Sequence, residues 1–125
     1  MRFALPAIKE VLDRLKDVPC PKILFCRGWN HVLFAEQLTQ VVLSIDWTVP
    51  FSKVPDASKR AIQGNLDPAV LLAGPEATRT LTQNMLEKGE ILGGHIVNLG
   101  HGVLPETPVE SVQEFVATAK LYGLA

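Results

Sequence analysis

The sequence predicts an α/β domain built on a parallel sheet, and three observations carry that expectation. Four short apolar runs, 22–26, 41–45, 60–63 and 95–99, are bounded by Gly, Pro, Asn or Asp and are too short for helices. Stretches with apolar residues every three or four positions separate them. Each run centres on consecutive apolar residues rather than a strict alternation, as strands buried on both faces do.

The elements follow in order. Pro6 stands near a helix start, and Ile8, Val11, Leu12 and Leu15 form one apolar stripe before Pro19 and Pro21 stop it. Lys22–Cys26 reads as the first strand, Asn30–Thr39 as a helix and Val41–Ile45 as the second strand. Pro50–Lys59 reads as a short helix or turn, and Arg60–Gln63 as a strand running into Gly64-Asn65-Leu66-Asp67. Asp67 before Pro68 is a capped helix start, and Pro75–Lys88 a longer helix with Gly89 as its left-handed cap. His95–Leu99 is the fourth strand. Thr107-Pro108-Val109-Glu110 combines a capping box with a first-turn proline. The last helix is expected to bury Val109, Val112, Phe115, Val116 and Ala119.

Composition limits the function classes. The 125 residues are 47% hydrophobic and 20% charged, which suits a folded domain with a core. A net charge of −1 offers no basic footprint for nucleic acid or an anionic membrane surface. Cys20 and Cys26 are too few for a disulfide framework or a four-cysteine zinc site, so both are expected as reduced thiols. No apolar run approaches the roughly 20 residues of a membrane span. Charged residues at helical spacing break up the N-terminal segment, so no signal peptide is expected and the default compartment is the cytoplasm.

Every strand ends in polar residues or glycine: Arg27-Gly28, Asp46-Trp47, Gly64-Asn65-Leu66-Asp67 and Gly100-His101-Gly102. In parallel α/β folds these ends lie on one face, where ligands bind, so a single shared site is expected. Most of these residues have structural readings. Asp67 reads as a helix cap, Asp46 as a turn cap and Trp47 as core or pocket wall. Arg27 is open between an ion pair and a ligand contact. His31 reads as solvent-facing, and His95, at a strand start, as structural. His101 reads as functional: glycines flank it and let a ligand approach, and imidazole exchanges protons near neutral pH. No phosphate loop, GxGxxG, GxSxG or metal-ligand histidine spacing occurs.

LPAIKEV, SIDW, QGNLDPAVLL and, above all, HIVNLGHGVLPETPVESV resemble the C-terminal part of the uroporphyrinogen decarboxylase family. The resemblance covers essentially the whole chain. SIDW departs from a more usual GLDW, and the link around Thr39-Gln40 is short and lacks a glycine. The resemblance implies residues 1–125 as a single domain, the C-terminal half (strands five to eight) of a (β/α)8 TIM barrel. A complete barrel needs ~200 to 400 residues, so the N-terminal half is expected to be absent. It implies a carbon–carbon lyase of haem and chlorophyll biosynthesis that removes four acetate carboxyls from uroporphyrinogen to give coproporphyrinogen. Neither metal nor organic cofactor is implied, and the expected partners are the porphyrinogen, a homodimer mate or the missing half. His101 alone carries over as a substrate-binding residue; no catalytic residue does. The chain is therefore expected to be catalytically incomplete. The alternatives are a partner-dependent or non-catalytic half-barrel and a related barrel methyltransferase, against which the absence of His-x-Cys at Phe25-Cys26 counts.

Overall fold

The computed structural model describes residues 3–28 and 35–123. They form helix α1 (Ala4–Arg14), strand β1 (Ile23–Cys26), strand β2 (Val42–Ile45), strand β3 (Ala61–Leu66), helix α2 (Pro75–Gly89), strand β4 (Gly94–Leu99) and helix α3 (Val109–Tyr122). The strands make one parallel sheet in the order β1-β2-β3-β4, the order of the chain itself. The α/β class and all four strands are as the sequence predicts. Most of the helix expected over Asn30–Thr39, and His31 with it, lies outside the described residues. No described helix is long and apolar enough to cross a membrane.

Register divides the sheet residues into two faces. Leu24, Leu43, Ile62 and His95 stand side by side, and Ile45, Leu66 and Leu99 share their face. This face meets the helices, and its members join Leu5, Ala35, Leu38, Leu71, Met85, Leu86 and Phe115 in the core. The other face carries Phe25, Ser44, Gln63 and Ile96 in one row. Here Ile23, Phe25 and Ile96 are 49%, 46% and 40% exposed, so among the described residues the helices cover the sheet on one side. The open side is curled: a methyl group on Gly100, after β4, would sit 2.5 Å from the Trp47 amide nitrogen after β2. Alternate strands thus meet across the inside, as they do in barrel layers.

Pro50–Lys59 resolves into two single 3-10 turns, Phe51–Lys53 and Ala57–Lys59. Asp67 caps as expected, its Oδ1 accepting the Ala69 N–H at 2.9 Å, and a 3-10 helix, Pro68–Ala73, follows.

Three local expectations are corrected. Gly89 is not a left-handed cap: it is the last helical residue, and Glu90 follows in right-handed conformation. Its value is space, because a Cβ there would lie 2.5 Å from Nδ1 of His95. The capping box does not form either. Pro108 takes the cap position without a side-chain bond, and the Thr107 hydroxyl is buried without a partner among the described residues. Finally, α3 buries Ser111, Phe115 and Thr118, while Val109 and Val116 are exposed. α2 offers buried Thr78 and Thr82, and small side chains on both helices permit close approach. Arg79 Nε donates to Glu114 Oε1 at 2.7 Å across them, a surface pair that adds little stability.

His95 is structural, as its position suggests. Its Nε2–H donates to the Gly64 carbonyl at 2.6 Å and its ring meets Phe51 edge-on at 5.0 Å. Burial pushes its pKa below the ordinary 6.5, with the Gly64 bond opposing. The unfolded chain therefore binds the proton more readily, so His95 favours folding above pH 6.5 and loses that contribution as pH falls through the lowered value. The denaturant midpoint should accordingly drop on acidification below 6.5, and His95→Asn should flatten part of that slope.

Candidate functional site

Because the strands are parallel, their C-terminal ends converge on one rim. β1 delivers Arg27 and Gly28, β2 delivers Asp46 and Trp47, β3 leads to Asp67, and β4 leads to Gly100 and His101. The rim is braced by Asp46, which is 1% exposed. Its Oδ2 accepts the Gly28 N–H at 2.5 Å, and its Oδ1 accepts the N–H and hydroxyl of Thr48 at 2.9 and 2.6 Å. The turn cap read from the sequence is therefore present, and the same carboxylate also ties β1 to β2. Gly28 adopts φ +70°, a conformation that glycine reaches without strain. Asn65 adds a second brace, donating through Nδ2 to the carbonyls of Asp46 and Val49 at 3.1 and 2.7 Å.

His101 is exposed at this rim and leans over the open face of the sheet. Its ring lies 6.3 Å from Phe25 at 75° and 6.4 Å from Trp47 at 81°, edge-to-face on both sides. Gly100 makes this possible, since any side chain there would strike the backbone of Asp46 and Trp47. The arrangement presents a polar ring between two aromatic walls, above a face carrying Gln63, Ile96 and Asn98. Gln63 Nε2 donates to the Ser44 hydroxyl at 2.9 Å, which leaves that row polar in the middle.

The structure thus brings Trp47, Asp46 and His101 together, the first as wall and the second as brace. Asp67 is occupied as a helix cap. Phe25 escaped the sequence reading because it sits inside a continuous apolar run; only strand register shows that it faces away from the helices. Cys26, its neighbour, faces the helices, and burial pushes its thiol pKa up, which does not suit a nucleophile. Among the described residues no three His, Cys, Asp or Glu side chains converge as a metal site requires. A groove of about 620 Å³ is lined by Phe51 and by Leu81 and Met85 of α2, and Trp47 and Asn65 line it as well. It lies where 3-10 turns stand in place of a covering helix.

A parallel α/β sheet with its polar residues gathered at the C-terminal strand ends defines a ligand-binding class of fold. The family follows from comparison. The family model described as Uroporphyrinogen decarboxylase (URO-D) matches residues 1–122, and the chain belongs to that family. It is 39% identical to a uroporphyrinogen decarboxylase of Streptomyces coelicolor over 92% of this chain and 33% of the relative. It is 40% identical to one from Solibacter usitatus, over 93% and 34%. A chloroplastic uroporphyrinogen decarboxylase of Zea mays is 37% identical over 94% and 31%. The chain thus spans about a third of the length of the relatives it matches.

Proposed function

We propose that this chain supplies one wall of a uroporphyrinogen decarboxylase active site, as the C-terminal half of a (β/α)8 barrel. The observation that carries the reading is the placement of His101 between Phe25 and Trp47, over the uncovered face of the sheet. Four parallel strands in chain order, curled and helix-covered on one side, suit half of a closed barrel. The substrate is then a porphyrinogen whose acetates are decarboxylated to methyl groups in the cytoplasm, and the partner is the rest of the barrel.

The chemistry replaces CO₂ by a proton on each acetate. Protonating the pyrrole carbon makes the ring an electron sink, the side chain loses CO₂ as the C–C electrons move into it, a proton completes the methyl group, and the pyrrole carbon then releases the proton it took up, so that one proton is consumed for each CO₂ lost. The protein must stabilise the cationic ring and hold the remaining carboxylates. In this reading the imidazole of His101 binds a substrate carboxylate or pyrrole-facing group, while Phe25 and Trp47 flank it. Asp46 serves the rim and is not the carboxylate that faces the ring, because its oxygens already accept from Gly28 and Thr48. The barrel methyltransferase alternative finds no converging metal-ligand side chains among the described residues.

Two measurements test the reading. Titrating the chain with uroporphyrinogen should shift the ring resonances of His101 and leave those of His95 in place; the opposite pattern overturns the site. Incubation of the chain alone should give little or no coproporphyrinogen, and full turnover would overturn the half-barrel assignment.

A further inference from the structure

Two asparagines stand side by side where β3 and β4 run out, paired in register as Asn65 and Asn98. They use their amides differently. Asn65 spends Nδ2 on the carbonyls of Asp46 and Val49. Asn98 turns its Oδ1 to the N–H of Leu99, which donates at 2.8 Å. The Gly100 N–H donates to the Leu66 carbonyl at 2.7 Å. Hydrogen-bonding groups alternate along a parallel ladder, so the N–H of Leu99 points to the free edge of β4. The Asn98 oxygen is thereby occupied and the orientation of the amide fixed. Its two N–H groups meet no acceptor among the described residues, and the side chain is exposed.

Satisfying an edge N–H calls only for an acceptor, and an aspartate would supply a stronger one. What asparagine adds is a neutral group whose free side can only donate. Asn98 lies on the open face of the sheet, two residues beyond Ile96 in β4. The ring of His101 lies at the far side of that face, against Phe25 of β1 and Trp47. The face between them carries Ile96 and the hydrogen-bonded pair Gln63 and Ser44. Two to three strand spacings separate the amide from the imidazole, about 10 to 14 Å along the sheet. A single carboxylate cannot bridge that distance. A porphyrinogen, with carboxylates around its rim, can.

We infer that the Asn98 amide is a second carboxylate contact, donating to one acidic side chain of a porphyrinogen while His101 holds another. The inference rests on the function proposed above and adds to it a grip on the substrate at two separated points. Asn98 acts here in binding and orientation, and no proton moves through it.

The test titrates the nitrogen-labelled chain with uroporphyrinogen and compares Asn98→Asp with Asn98→Ala. The side-chain amide resonances of Asn98 should shift together with the ring resonances of His101, while those of Asn65 stay in place. Asn98→Asp keeps an acceptor for Leu99, so the denaturant midpoint should not fall, yet it sets a negative charge where a donor stood. Asn98→Ala loses both bonds, and its Kd for uroporphyrinogen should rise about 10-fold. The Kd of Asn98→Asp should rise further still, because like charges then face each other. A role confined to the strand edge predicts the reverse order, with Asn98→Asp binding as the parent does and Asn98→Ala impaired. That order overturns the inference, as do His101 shifts unaccompanied by shifts at Asn98, and both leave the proposed function standing. A His101 ring that does not respond to uroporphyrinogen removes the proposed function and this contact with it.

Discussion

Gly100→Ala should be among the most destabilising single-methyl changes in the protein, at about 3 kcal/mol, the upper part of the usual range for overpacking. The added Cβ would stand 2.5 Å from the Trp47 nitrogen and 2.9 and 3.0 Å from the carbonyl carbon and Cα of Asp46. All three are backbone atoms at the end of a buried strand, so no flexible side chain can move aside. Relief requires the end of β4 to lift from β2, which would also carry His101 away from Phe25 and Trp47. Denaturant titration reads the first effect and the ring-current shifts of His101 read the second. Gly102→Ala is the control: apart from its chain neighbours, no atom of the described residues lies within 4 Å of its Cβ position, and the change should fall within about 0.5 kcal/mol of neutral. Equal effects at the two glycines would mean that the close approach of β4 to β2 is not what holds the rim.

His101→Ala should have the largest effect on activity and almost none on stability. The ring is exposed and, among the described residues, makes edge contacts with Phe25 and Trp47, so its removal leaves no buried cavity. Under the proposed function, in an active assembly that includes this chain, loss of a charge-assisted contact to substrate should lower kcat/KM by about 10²-fold. His101→Asn keeps a hydrogen-bond donor but cannot carry a proton, so it separates two roles. A positioning role predicts recovery to within about 10-fold of the parent and an unchanged pH profile; a proton-transfer role predicts neither. Unaltered kinetics in His101→Ala would remove the residue from the site altogether.

Much of the fold could be read from local patterns. Continuous apolar runs identified all four strands, and Asp67-Pro68 marked a cap that the structure contains. The errors lie where local patterns were equivocal. Thr107-Pro108-Val109-Glu110 has the spacing of a capping box, yet Pro108 occupies the cap position. Gly89 looked like a helix terminator, but it is there to admit the ring of His95. Val109 and Val116 fit an apolar stripe, but α3 turns Ser111 and Thr118 toward α2 because small side chains let the helices close.

The site divides in the same way. Glycines on either side of His101 singled it out, although they do different things: Gly100 allows two strand ends to touch, while Gly102 faces open space. Trp47 was expected as core or pocket wall and is a wall. Phe25 could not be found, because a run of apolar residues does not say which of them will face a helix and which will face the open side. Strand register decides that, and register is set by pairing with residues far along the chain.

The sequence by itself therefore determined the four strands, the parallel class and the family, since each is written in short-range patterns or in long motifs such as HIVNLGHGVLPETPVESV. Only the tertiary structure decided the surroundings of His101, the bracing by Asp46 and the one-sided cover of the sheet. These depend on distances between residues that no local pattern relates. His101 and Phe25 are neighbours only because the sheet curls and the backbone at Gly100 has no side chain to hold it back.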